Sequence, residues 1–167
     1  MNKKLLTRLG IAVLASFAVA ACSTSGSNVA DSSFTNASLS TQDPNAKIYS
    51  GYSQNELQNQ YRTVYFAFDS YQLTAEGEQL VRAHAEFIKA TGAKVLLEGY
   101  TDERGTPEYN VALGAERAKA VAQALIKYGV NPANIRQISY GEERPAVLGH
   151  NEAAYAKNRR VEFNYNF

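Results

Sequence analysis

Residues 94–110 read KVLLEGYTDERGTPEYN, and they hold a strand, a turn and a helix start in one line. Lys94 to Tyr100 is rich in β formers and closes before Thr101-Asp102. Thr106-Pro107 then marks a helix start: a hydroxyl able to cap, followed by a proline whose missing N–H is harmless in the first turn. That helix runs to about Tyr128 and stops at Gly129. Working outward, the same signals repeat. Thr63 to Phe68 reads as a strand ending at Asp69. Thr74 to Thr91 reads as a helix, with Leu80, Val81, His84, Phe87 and Ile88 at helical spacing and Gly92 as its stop. Beyond the central stretch, Ile135 to Tyr140 is a strand and Asn151 to Ala156 a short helix. Arg159 to Phe167 alternates as a last strand, with Val161, Phe163, Tyr165 and Phe167 on one face. This order predicts an α/β (α+β) two-layer sandwich. Strands joined through a helix normally run parallel. That puts Asp69 and Asp102 at one sheet edge, past the strand ends, where ligands favour α/β sheets.

The ends of the chain differ from this middle. The 167 residues allow one ordinary domain plus extensions, and 45% hydrophobic content supports a packed core. A net charge of +1 from 17 basic and 16 acidic residues argues against a charge-driven nucleic-acid binder. One cysteine excludes an internal disulfide and a cysteine-based zinc site, and two histidines leave little for a metal centre. No cofactor is expected. Residues 1–21 read as a signal peptide: Lys3, Lys4 and Arg8, then an apolar run from Leu9 to Ala21 that is short of a membrane span. The run ends Val19-Ala20-Ala21-Cys22, which resembles a bacterial lipobox, with cleavage before Cys22 and acylation at it. Ser23 after the cysteine implies, by resemblance to the bacterial sorting rule, the outer membrane, with the domain facing the periplasm. Removing Lys3, Lys4 and Arg8 from the 17 basic residues leaves a net of −2 against 16 acidic ones. Residues 23–47 hold ten Ser or Thr in 25, which reads as a solvated tether. The expected boundaries are a tether over 22–61 and a domain over 62–167. Within the tether, Lys47 to Tyr61 fits either a short helix or an ordered arm.

The turn at 99–110 carries the chemistry. Amides at a helix start favour an anion, and Asp102 adds a carboxylate beside them. At 100° per residue, Asn110, Leu113 and Arg117 form one stripe, and Val111, Ala115, Ala118, Ala122 and Leu125 form an apolar face beside it. The Arg117 stripe is expected to flank the core face without joining it. Carboxylate, guanidinium and helix-end donors together suit a zwitterion, its ammonium on Asp102 and its carboxylate on Arg117. Spacing alone fits equally a plain Asp102–Arg117 pair or a helix cap.

Four stretches carry a resemblance: Tyr65 to Ser70, Gly99 to Asn110, Leu113 to Ala118 and Asn158 to Val161. They resemble the OmpA C-terminal-like peptidoglycan-binding domain, over nearly all of residues 63–167. The resemblance implies a βαβαβ(α)β mixed sheet with helices on one face. It implies non-covalent binding of peptidoglycan stem peptides through meso-diaminopimelate, whose side-chain arm is a zwitterion. Carried over by matching motif, Asp102 and Arg117 are the central ligands, Asp69 and Phe68 border the site, and Arg104, Gly105, Thr106, Asn110 and Leu113 line the rest. For lipoproteins of this family it also implies TolB and the Tol complex as partners, over a surface overlapping the wall-binding site. This chain departs from the family's lipoproteins at Ala67, Tyr100 and Thr101.

Other readings are weaker. Glu98, Asp102 and Glu103 could be imagined as a glycosidase pair, but no nucleophile, metal-ligand or phosphate-loop spacing supports an enzyme. A protein-interaction module acting through TolB, with little wall binding, is the alternative. Arg160 reads as an ion-pairing residue at the sheet, and Arg159 as a lesser site candidate. His84 reads as a core histidine, and His150 has no assigned role.

Overall fold

The computed structural model of the chain describes residues 47–167. The expected signal peptide, the lipidated Cys22 and the tether up to residue 46 lie outside the described residues. Ile48–Tyr49 (β1) and Tyr52–Ser53 (β2) form a hairpin that turns through Ser50 and Gly51. Gln54–Asn59 (α1) follows, opened by a capping box in which Ser53 and Glu56 satisfy each other's backbone N–H groups. Then come Thr63–Tyr65 (β3), Ala75–Thr91 (α2), Val95–Tyr100 (β4), Pro107–Lys127 (α3), Ile135–Gly141 (β5), Glu152–Asn158 (α4) and Arg160–Asn164 (β6). Thr74, Thr106 and Asn151 cap α2, α3 and α4, each side-chain oxygen accepting from the N–H of Gly77, Tyr109 or Ala154. Gly92 closes α2 in the left-handed conformation that its missing side chain permits.

The order along the sheet is β3-β6-β4-β5. The last strand inserts between the first two of this sheet and runs antiparallel to both, while β4 and β5 are parallel. The sheet is therefore mixed, and β3 and β4 still run the same way. Val95, Leu97, Val161 and Phe163 face Val81, Phe87, Ile88, Ala118, Val121 and Leu125 of the helices in one buried cluster. The opposite strand positions carry Glu98, Tyr100, Arg160, Glu162 and Asn164.

Three expected boundaries move, and the first is that the last strand ends at Asn164 rather than Phe167. The ordered domain includes the elements from Ile48 on and does not start at Arg62, because Tyr49 and Leu57 are buried in the core and Tyr49 packs edge-on against Phe87 at 5.5 Å. Both forms open to residues 47–61, arm and helix, are present. The strand from Thr63 ends at Tyr65 rather than Phe68, for a reason that belongs to the site.

Helix α3 meets the sheet at a contact only glycine allows. A Cβ at Gly99 would lie 1.9 Å from the Gly114 carbonyl oxygen, and one at Gly114 would lie 2.3 Å from Ser139 Oγ. This contact also corrects the expected helix face. Val111 and Ala115 are exposed, and the buried side centres near Gly114, with Asn110, Arg117, Ala118, Val121 and Leu125 around it. Arg117 lies inside the buried face, not beside it.

His84 is wholly buried and stacks on Phe163 at 3.8 Å. Its Nε2 lies 2.9 Å from the Tyr61 carbonyl, which can only accept, so Nε2 carries the proton. Nδ1 then accepts from the Tyr165 hydroxyl at 2.7 Å. Burial pulls the imidazole down to about 4, against a weaker upward pull from the Tyr61 bond. The unfolded chain thus takes up a proton that the native state refuses. Stability is full above the ordinary histidine range and falls as pH drops from about 6.5 to about 4, by roughly 3 kcal/mol. Urea titrations at pH 7 and pH 4.5 should show this loss, and His84→Phe should lose distinctly less between the two. Separately, Gly99→Ala should cost roughly 3 kcal/mol or more through overpacking. A Gly99→Ala melting curve matching the parent would show that α3 yields without cost.

Candidate functional site

The site is built where β3 leaves the sheet. The Phe66 N–H still reaches the Arg159 carbonyl at 3.0 Å, but from there on the carbonyls serve side chains. Phe66 O accepts from Arg159 Nε at 3.0 Å, Ala67 O from an Arg117 terminal nitrogen at 3.2 Å, and Ser70 O from Arg117 Nε at 2.8 Å. A second terminal nitrogen of Arg117 donates to Tyr100 O at the end of β4, at 2.8 Å. Pairing past Tyr65 would take these carbonyls away from the arginines. The bend brings Asp69 to φ +52, a left-handed conformation that Asp tolerates better than most residues. The hydroxyl of Tyr109, in the first turn of α3, donates to Asp69.

Arg117 is fully enclosed. Burial, and then the neighbouring Arg159, lower its guanidinium to about 10, so it stays cationic at neutral pH. Asp102 is 4% exposed. Its Oδ1 accepts from the Arg104 backbone N–H at 3.1 Å and from Arg104 Nε at 3.0 Å. Its Oδ2 accepts from an Arg104 terminal nitrogen at 2.7 Å and from Arg159 at 3.3 Å. Burial alone would raise this carboxyl, but the bonds from Arg104 and Arg159 outweigh it and hold it below the usual carboxylate range. Asp102 is therefore an anion at pH 7, the wrong state for a general acid. Asp102 and Arg117 do not pair directly, as the plain spacing would allow; each has its own partners.

Phe68, Asp69, Thr101, Asp102, Arg104, Gly105, Tyr109, Asn110, Leu113, Arg117 and Arg159 line one cavity of about 230 Å³. Of the residues expected from sequence, only Thr106 stands outside the lining, where its hydroxyl caps α3. Asn110 is buried and donates to Glu142, which ties the helix start to the end of β5. Two lining residues go beyond those read from sequence, Thr101 and Tyr109, and Arg159, read there as a lesser candidate, lines the cavity as fully as the rest. It stands two residues before Val161 in an alternating strand, which puts it on the core-facing side. Arg160 points the other way, stacks on Tyr100 at 3.8 Å and bonds Glu162 at 2.6 Å, the ion-pairing role read from sequence.

The three departures fall into different classes. Ala67 contributes its carbonyl, which any residue supplies. Tyr100 stacks between Arg160 and Tyr140 and donates to Glu98. Thr101 lines the cavity, and its buried hydroxyl has no hydrogen-bond partner among the described residues. His150 and Tyr155 both bond Glu103, at 2.6 and 2.7 Å.

Comparison with known proteins agrees with this architecture. The OmpA family model matches residues 65–159. The chain is 50% identical over 149 residues to the peptidoglycan-associated lipoprotein of Haemophilus influenzae, covering 89% of this chain and 90% of that protein. It is 55% identical over 120 residues to the one from Pasteurella multocida, covering 71% and 80%. The crystal structure of the peptidoglycan-associated lipoprotein from Burkholderia pseudomallei superposes with a TM-score of 0.61 at 46% identity, over 63% of this chain and 90% of that one. With the family model matched over residues 65–159 and these relatives in agreement, the chain belongs to the OmpA family, among the peptidoglycan-associated lipoproteins.

Proposed function

We propose that the chain is an outer-membrane lipoprotein whose folded domain holds peptidoglycan stem peptides non-covalently at meso-diaminopimelate. It would act within the Tol-Pal system, in envelope integrity and in constriction of the outer membrane at division. Residues 1–21 are the signal peptide, acyl chains on Cys22 anchor the membrane, and the Ser/Thr-rich stretch that follows joins the anchor to the domain. Two or more acyl chains hold stably where one does not. Each grip on a stem peptide can be weak, because many anchored copies raise the effective concentration.

One observation carries the reading. Arg117 is buried at the wall of a cavity with donors to spare. Arginine has five N–H groups, and three of those on Arg117 go to the Ala67, Ser70 and Tyr100 carbonyls. One N–H on each terminal nitrogen remains, without an acceptor among the described residues. A ligand carboxylate would supply what they lack once the side chains that enclose Arg117 at the cavity wall make way for it. Asp102, in the same cavity, supplies the anion for an ammonium. Asp69, Phe68, Gly105, Asn110 and Leu113 shape the space between. The cavity mouth also carries exposed Phe68 and Tyr109, with exposed Tyr71 close by in sequence. Such a rim suits a protein partner such as TolB, and occupancy by one partner would exclude the other.

Calorimetric titration of the full chain in mild detergent tests this reading. A diaminopimelate stem peptide should bind, and the matching lysine peptide, lacking the arm carboxylate, should bind at least about ten-fold more weakly. Asp102→Asn should lose most of the binding. Arg117→Ala should lose it too, but not on an intact scaffold. Three carbonyls would be left unpaired at about 1–3 kcal/mol each, so its urea midpoint must be measured alongside. Full binding by a folded Asp102→Asn chain would sink the assigned site. Cys22→Ala should move the protein from the membrane fraction to the soluble periplasm; retention in membranes would remove the anchor from the reading.

A further inference from the structure

The proposed binding of an ammonium at Asp102 meets an obstacle in the structure, and this inference rests on that reading. Asp102 already has a cation. Of the four N–H bonds on its carboxylate, two come from the Arg104 guanidinium, at 3.0 and 2.7 Å. The carboxylate is 4% exposed and the Arg104 side chain 36%, so the guanidinium covers the carboxylate from the solvent side. An ammonium arriving from solvent needs the same lone pairs.

We infer that Arg104 is a built-in competitor for the ligand's cation, seated on Asp102 until an ammonium displaces it, and that it sets the affinity for cationic ligands. Arg159, the other side chain on Asp102, is not free to leave. It is buried and held by the Phe66 carbonyl at 3.0 Å and by Glu152 at 2.7 Å. Arg104 has somewhere to go. Its guanidinium lies 4.1 Å from the Phe68 ring centre and 4.4 Å from that of Tyr155, and Glu152 Oε2 is 3.5 Å away. Sliding between the two rings toward Glu152 keeps an ion pair and the ring contacts while freeing acceptor positions on both Asp102 oxygens. The Arg104 backbone N–H stays on Oδ1 throughout, so the turn is not disturbed. The exchange replaces one cation by another on a buried anion, and the anion is never left bare. Arg104, placed by sequence among the residues that line the site, thus opposes the ligand's ammonium while lining its seat.

The test titrates the diaminopimelate stem peptide into the full chain in mild detergent, as wild type, Arg104→Gln and Arg104→Lys. Arg104→Gln should bind about ten-fold more tightly, having lost two competing charge-assisted bonds. Arg104→Lys, a cation without the fork, should fall between. In wild type, the Arg104 Nε–H resonance should shift at ligand saturation while that of Arg159 stays, a readout that needs no substitution to fold. Equal or weaker binding by Arg104→Gln, with wild-type binding intact, overturns the inference and leaves the proposed function standing. So does an Arg104 Nε–H resonance unmoved at saturation. No binding by any of the three chains overturns both.

Discussion

A guanidinium taken out of water must find oxygens for its N–H groups, or its burial is prohibitive. Arg117 is enclosed in this domain, and its solution shapes everything at that end of the sheet. It collects the carbonyls of Ala67, Ser70 and Tyr100, which lie on two strand ends that are not neighbours. β3 must stop pairing at Tyr65 to present its share. Asp69 takes a left-handed backbone to let the chain return. The arginine reaches these carbonyls because α3 lies directly on β4, and it lies there because Gly99 and Gly114 have no side chains to hold them apart. A close helix–sheet contact, a buried cation and a bent strand end are thus one device.

The last strand completes it. β6 enters the middle of the sheet, between β3 and β4, and Arg159 immediately precedes it. That puts a second buried arginine between the Phe66 carbonyl and the Asp102 carboxylate. Without Arg159 and Arg104, burial would push Asp102 toward its neutral form; with them it is held ionised. Arg159 also helps to lower Arg117. The site is therefore not a set of side chains added to a finished fold. Its charges fix where the strands end and how the sheet is closed.

The sequence shows the elements of residues 63–164 because each carries its own local signals. Hydroxyl or amide caps start three helices, glycines stop two, and alternation marks β6. The helix face of Arg117 was less legible. Of the expected face, Ala118, Ala122 and Leu125 are buried but Val111 and Ala115 are exposed, and the true centre is Gly114, which an apolar pattern does not weight. The truncation of β3 was invisible for a related reason. Thr63 to Phe68 has uniform strand propensity, and what ends the strand is competition for carbonyls by arginines far along the chain. The folded arm at 47–61 was half legible. Its tyrosines and Leu57 stood out from the Ser/Thr-rich stretch, but nothing local shows that Tyr49 reaches Phe87. The Arg104–Asp102 contact was the least expected, because a motif shows which residues line a site and not which of them already occupy one another.

Charge counting supports the proposal of a zwitterionic ligand. Around the cavity stand the cations Arg104, Arg117 and Arg159 and the anions Asp69, Asp102 and Glu152, so the walls are already close to balanced. A ligand with one charge would add an uncompensated ion to a partly enclosed space, where water cannot screen it fully. An ammonium alone could sit on Asp102 only by displacing Arg104, with no return from Arg117. A carboxylate alone could meet Arg117 only while Asp102 kept its own cation, with nothing to place the far end. A zwitterion answers both. On the proposed reading its carboxylate would take the two spare N–H groups of Arg117, and that contact would hold the ammonium at high local concentration beside Asp102, where it would compete with Arg104. On this view the self-occupied carboxylate is part of the discrimination. A seat that any amine could take would not distinguish an arm bearing both charges from an arm bearing one.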